Sequence, residues 1–217
     1  MIKKETLKFF KAIQLNNNRP WFEKNKLVYE AARINYLEFV SELIPELKKI
    51  EPIFDKELKK YADRIYRDIR FSKDKRPYKN SISSSIERAP EYKKTPIYLH
   101  VQPGNTFLAG GIWQPESALL NKVRQEIDYN GAEFEKIINK KSFVNQFGKL
   151  KGASLVRPPK GYTSDHPQIE LLKLKEYIIM KNYDDDQVCS LQFIKLLVGT
   201  YKEALPFLRF FDAVLGE

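Results

Sequence analysis

The chain has 217 residues, 42% of them apolar and 13% aromatic, which is enough to bury a core and too much for wholesale disorder. No window reaches the roughly 18 apolar residues of a membrane span, and the charged start Met1-Ile2-Lys3-Lys4-Glu5 lacks the apolar run of a secretory leader. The net charge of +10 favours anionic partners, and it is uneven: residues 61–79 alone hold +4, while residues 151–217 are neutral.

Cys189 is the single cysteine, so no intrachain disulfide can form, which suits a reducing cytoplasm. Its amphipathic surroundings make it a small core residue rather than a nucleophile. With no internal repeat and no linker, residues 1–217 are expected to form a single domain.

Residues 5–15 place Leu7, Phe10, Ala12 and Ile13 at near-helical spacing, a short amphipathic helix. After Asn16-Asn17-Asn18, Asn18 is expected to cap the next helix, with Pro20 in its first turn. Phe22, Tyr29, Ala32, Tyr36, Val40, Leu43, Leu47 and Ile50 then recur at steps of three, four or seven, marking one long helix that Pro45 should kink or end.

The period then becomes alternating. Over residues 64–72, Ile65, Arg67, Ile69 and Phe71 share one face, and the alternation predicts a strand with that face buried. Residues 81–86 suit a second strand, residues 97–102 a third, and 106–113 its returning partner. Gln102-Pro103-Gly104-Asn105 between them fits a type II turn. Lacking long helical crossovers, these strands are expected to pair antiparallel.

Helical periodicity resumes after Pro115 through Leu119, Val123 and Ile127, then Phe134, Ile137 and Ile138. Residues 151–168 read mostly as loop, with Asp165 capping a helix that has Pro167 in its first turn. Residues 176–181 suit a last strand. Asp184-Asp185-Asp186 opens a C-terminal helical region that Pro206 should bend. The expected class is therefore α+β, a mainly antiparallel central sheet with N-terminal and C-terminal helices packed on it.

The most informative stretch for function is Arg64-Ile65-Tyr66-Arg67-Asp68-Ile69-Arg70-Phe71-Ser72-Lys73-Asp74-Lys75-Arg76-Pro77-Tyr78-Lys79. Arg67 shares the apolar face, and a buried guanidinium requires a paired carboxylate or a bound anion. Asp68 can orient Arg70, and Lys73, Lys75 and Lys79 can cradle phosphate. Tyr66, Phe71 and Tyr78 offer rings for stacking. Arg157 and Lys160, next to Gly161-Tyr162 and Asp165-His166-Pro167, could add cationic groups to the same site.

His100, on one face with Tyr98 and Gln102, could act as a general acid or base, with Asp68 as the other candidate, or it could be a hydrogen-bonded structural histidine. With two histidines far apart and one cysteine, no metal site is readable, and no cofactor is expected. Asp184–Asp186 reads as an acidic first turn of a helix. Gly110-Gly111 suits close packing beside Trp113.

The stretch RIYRDIRFSKDKRPYK resembles the signature of a bacterial family catalogued as domain of unknown function 2461. Asn17, Asn18, Trp21, Phe22, Tyr98, His100, Gly104, Gly110, Gly111, Trp113 and Pro115 agree with it. So do Arg157, Pro159, Lys160, Gly161, Tyr162, Asp165, His166 and Pro167. The resemblance runs from about residue 5 to beyond residue 180; it implies one intracellular domain and carries over no catalytic residue, substrate or cofactor. The leading expectation is thus a protein that binds a phosphate-bearing ligand or nucleic acid, not a membrane, through residues 64–79. The alternatives are an enzyme acting on a small anionic substrate, or a structural ion-pair network within a protein-interaction domain.

Overall fold

In a computed structural model, residues 1–88, 95–150 and 152–216 are described. In chain order they form α1 (Lys4–Leu15), α2 (Arg19–Lys24), α3 (Lys26–Lys48), a 3-10 turn (Leu58–Tyr61), β1 (Ile82–Ile86), β2 (Ile97–Val101) and β3 (Thr106–Ile112). There follow α4 (Ser117–Asn139), α5 (Lys141–Phe147), α6 (Ile169–Leu172), β4 (Tyr177–Tyr183), α7 (Asp185–Val188), α8 (Phe193–Phe210) and α9 (Asp212–Leu215). The four strands make one antiparallel sheet in the order β1-β2-β3-β4, so the class is α+β.

The turn joining β2 to β3 has the expected chemistry. The Asn105 N–H donates to the Gln102 carbonyl at 3.0 Å, and Gly104 takes the positive φ of 71° that the third position of a type II turn requires. Alternation is visible in burial: Ile97, Leu99 and Val101 are buried, while Tyr98 and His100 on the other face are half-buried.

Two compact units are distinguished within the chain. The first comprises Met1–Ile86, Tyr98–Leu108 and Asn182–Gly199. Its core is the stripe expected of α3, where Tyr29, Ala32, Tyr36, Val40, Leu43 and Leu47 are buried, together with Phe39, which the stripe did not include, and with Phe9, Phe10 and Ile13 of α1. Phe39 stacks on Phe193 at 5.3 Å. The single long helix read from the sequence is interrupted. Asn25 leaves helical geometry (φ −109°, ψ 14°), and its side-chain amide donates to the Trp21 carbonyl at 2.8 Å, ending α2 so that α3 starts afresh. Asn18 caps α2 as expected, accepting from Trp21 N at 3.0 Å with Pro20 just inside. Pro45 does not end α3, which runs through it to Lys48. Asp184 and Gln187 form a capping box at the start of α7, as the acidic run suggested.

The second unit comprises Glu87–Ile97, Ala109–Lys181 and Thr200–Glu217. Its core is aromatic, with Phe134 against Phe207, Phe210 and Phe211, and Phe143 against Phe207. The α4 stripe Val123, Ile127, Phe134 and Ile138 is buried as its periodicity requires, despite a non-helical Asn130 (φ −118°, ψ 27°). α8 runs through Pro206 to Phe210. At Gly111 a Cβ would lie 2.1 Å from the Tyr177 carbonyl oxygen, and φ is +122°, so only glycine lets these backbones approach. The expected helix start at Asp165 is a correction: α6 begins at Ile169 with Gln168 in the cap position, and the residues before it turn through bonds from His166 N to the Thr163 carbonyl at 3.3 Å and from Ile169 N to the His166 carbonyl at 3.0 Å. Residues 152–168 are mostly irregular, as read, apart from the pairing of Ser154 with Leu174; Lys151 lies outside the described residues.

Candidate functional site

Residues 64–79, in the first unit, do not form a strand of the sheet. They make an excursion whose two limbs pair once, Tyr66 against Tyr78, with Arg67 N donating to the Pro77 carbonyl at 2.9 Å and Lys79 N to that of Ile65 at 2.7 Å. The inward face begins as alternation predicted, with Ile65 buried and Arg67 and Ile69 half-buried. It fails at Phe71, which is 96% exposed. The reason is local. Asp68 Oδ1 accepts from Arg70 N at 3.2 Å and Asp74 Oδ1 from Arg76 N at 3.1 Å, so short side-chain loops take the amides a ladder would use. Pro77 has no N–H to offer.

The same aspartates hold most of the guanidinium groups. Arg67 Nη1 meets Asp74 Oδ2 at 2.7 Å; Arg76 meets Asp74 through Nε at 3.0 Å and Nη2 at 2.7 Å. Arg70 pairs in the same two-pronged way with Asp68, at 3.0 and 2.7 Å. Arg76 and then Arg67 hold the Asp74 carboxyl far below the usual carboxylate range, and Arg70 lowers Asp68. Lys75 Nζ donates to the Ile69 carbonyl at 3.0 Å, and Lys79 reaches Asp63 at 3.4 Å. Arg64 and Lys73 are exposed and have no hydrogen-bond or ion-pair partner among the described residues.

Beside Arg64 is a groove of about 290 Å³ lined by Phe22, Lys26, Tyr29, Glu30, Arg33, Arg64 and Tyr66 among others. Lys26, Glu30 and Arg33 stand on one face of α3 because they are four and three residues apart. Arg33 is steadied by a 3.1 Å bond to the Lys59 carbonyl. The aromatic wall is built from beneath: Tyr78, 2% exposed, stacks on Phe22 at 4.2 Å, and both its backbone groups are held by the Asn17 side chain. Tyr78 therefore supports the groove rather than lining it. Lys26 and Arg33 were not among the sequence candidates, although their spacing beside Tyr29 on the α3 stripe was the signal that could have found them.

A second polar array of the first unit joins buried Ser83 of β1 to the half-buried Tyr98 and His100 of β2. The Ser83 hydroxyl donates to Asp63 Oδ2 at 2.7 Å, where Lys79 also arrives. His100 Nε2 pairs with Gln102 Oε1 at 2.9 Å, its Nδ1 is 3.4 Å from the Tyr98 hydroxyl, and Phe107 stacks on its ring at 4.7 Å. Burial, with Lys79 adding to it, lowers the His100 imidazole from its ordinary value; burial raises the Tyr98 phenol, opposed by Ser83. Asp68 is bonded to Arg70, and His100 to Gln102 and Tyr98, so no hydrogen bond joins the two candidates. Asp63 and Ser83 had no sequence signal beyond their position.

In the second unit, Arg157 and Lys160 are exposed. His166 is held by Asp128, Nε2 to Oδ1 at 2.8 Å, and its Nδ1 accepts from Gln168 N at 3.1 Å. With α6 only four residues long and starting after Pro167, no anion-binding helix terminus stands at that point. Cys189 is half-buried and its thiol is raised by burial. Among the described residues no three His, Cys, Asp or Glu groups gather to hold a metal, and no helix is long and apolar enough to cross a membrane.

No curated protein and no solved structure matches the chain. A family match does exist, and it covers residues 5–210, including the whole of the 64–79 excursion and the His100 strand. The chain belongs to the family described as Conserved hypothetical protein (DUF2461).

Proposed function

We propose that the protein binds an anionic, phosphate-bearing ligand in the groove of the first unit, with Arg64, Lys26 and Arg33 as its cationic contacts. The observation that carries this reading is the composition of that groove: three cations against the single acid Glu30, with Phe22, Tyr29 and Tyr66 as rings on which a base or sugar can lie. The basic excursion contributes through Arg64, Tyr66 and its tip, where Lys73 is exposed; Arg67, Arg70 and Arg76 serve mainly to shape it.

The test is calorimetric titration with adenosine monophosphate and, separately, adenosine. The monophosphate should bind more tightly, and Lys26→Glu with Arg64→Glu should weaken it by about tenfold or more while leaving adenosine unchanged. A labelled single-stranded oligonucleotide titrated at two salt concentrations tests a polymeric ligand, whose affinity must fall steeply with salt. If neither probe binds wild-type protein at low salt, the reading fails.

An enzyme acting on a small anionic substrate is the second reading, and the array of Asp63, Lys79, Ser83, Tyr98 and His100 favours it. Phosphate release from a panel of small phosphate esters, lost in His100→Ala and in Asp63→Asn, would support it; no turnover in wild type would remove it. We also infer a cytoplasmic setting, supported by a single cysteine that needs no oxidising compartment.

A further inference from the structure

We propose that the second unit holds a separate site for a small molecule with a carboxylate head and an apolar body, with Arg124 as the partner of the carboxylate. This site is independent of the phosphate reading above.

Arg124, on α4, is 7% exposed, yet no carboxylate among the described residues pairs with it. Its bonds run to uncharged oxygens: Nε to the Leu172 carbonyl at 2.8 Å, Nη2 to that of Leu174 at 3.4 Å, and Nη1 to Asn121 Oδ1 at 3.4 Å. A guanidinium has five N–H donors, so these bonds, two of them long, leave two N–H groups unused. The acid one turn along the helix, Asp128, is taken by His166. A buried charge without a counter-ion is costly, whereas a bound carboxylate would supply both the charge and a two-pronged acceptor.

Arg124 also lines an open groove of about 520 Å³, within the range of small-molecule sites. Pro115, Leu120 and Leu155 give it apolar walls, and Lys175 supplies a second, exposed cation. Glu176 also lines it, and among the described residues it makes no ion pair with Arg124. The floor is firm, because Leu155 N donates to the Lys173 carbonyl and Lys175 N to that of Ala153, both at 2.8 Å. Stapling of Leu172 and Leu174 accounts for two of the three Arg124 bonds. It does not account for a cation beside an apolar groove.

Octanoate, octanol and octyl phosphate, titrated by calorimetry into the full chain, test this. Octanoate should bind about tenfold or more tightly than octanol. Arg124→Gln is expected to destabilise the fold, so the deciding variants leave its carbonyl bonds in place: Leu155→Trp fills the groove and Lys175→Glu reverses the rim charge. Each should weaken octanoate by about tenfold, with unliganded melting temperatures within about 3 °C of wild type. Octanoate binding no better than octanol, unchanged binding in Leu155→Trp, or binding of octyl phosphate alone would each overturn the proposal.

Discussion

In the first unit Arg67, Arg76 and Arg70 meet Asp74 and Asp68 at the surface, with side-chain exposures from 26% to 77%, whereas in the second unit Arg88 is fully buried and grips Asp212 through both Nη atoms at 2.9 Å. The chemistry is the same and the surroundings differ. Water screens the surface pairs, so their separate contributions are small and their effect is to fix the path of a loop. Burial strips Arg88 of the solvent screening that the surface pairs enjoy, and its Nη1 also donates to the Thr95 hydroxyl at 3.2 Å. The surface pairs thus set shape, and the buried pair sets stability.

The largest expected effect follows from the buried side. Asp212→Ala removes the carboxylate and should cost about 3–5 kcal/mol in urea unfolding. A loss below about 1 kcal/mol would mean that Arg88 finds another counter-charge and that burial is not what separates the two regions. An uncharged case calibrates the scale. Tyr36 is fully buried and its hydroxyl lies 2.7 Å from Ser84 Oγ, which in turn donates to the Tyr61 carbonyl; burial pushes the Tyr36 phenol far above its ordinary value. Tyr36→Phe should cost about 1–2 kcal/mol, between the charged buried pair and the surface network.

On the surface side, Arg67→Ala should leave the melting temperature within about 3 °C of wild type, because Asp74 keeps Arg76. Amide exchange at residues 67–76 should quicken as the loop loosens. Global unfolding of this variant would instead show residues 64–79 to be the ion-pair network on which the fold depends, and would remove the reason to look there for a ligand.

The elements that the sequence disclosed are those whose signal is periodic. The α3 and α4 stripes, the β2–β3 hairpin with its Pro103-Gly104 turn, and the acidic cap at Asp184 all follow from spacing plus local chemistry. Where a side chain competes for a backbone group the periodic signal misleads. Asn25 breaks a continuous helical stripe, and Asp68 and Asp74 curl what reads as a strand. The candidate site was legible only in part. Arg67 was expected to need a carboxylate or a bound anion and has Asp74, seven residues on. The charges that act on His100 come from residues 63 and 79, far from it in sequence, which no local pattern encodes.

That array also gives the smallest effect, and the one most specific to the geometry. His100 has its imidazole pKa held below the ordinary 6.5, chiefly by burial; Lys79 lowers it further, while the Gln102 bond and Asp63 raise it. The unfolded chain therefore takes up a proton more readily than the folded one. The contribution of neutral His100 to stability is fully present above about pH 6.5 and falls away as the pH drops from there through the depressed folded value. Wild-type protein should lose more stability than His100→Gln between pH 7 and pH 5. The neighbours separate burial from charge. In an NMR titration of the imidazole, Lys79→Met should raise the His100 pKa and Asp63→Asn should lower it. Opposite movements place both groups electrostatically at His100, linking the end of the basic excursion to the strand face. Movement in the same direction, or none, would leave burial as the whole cause and detach His100 from the array.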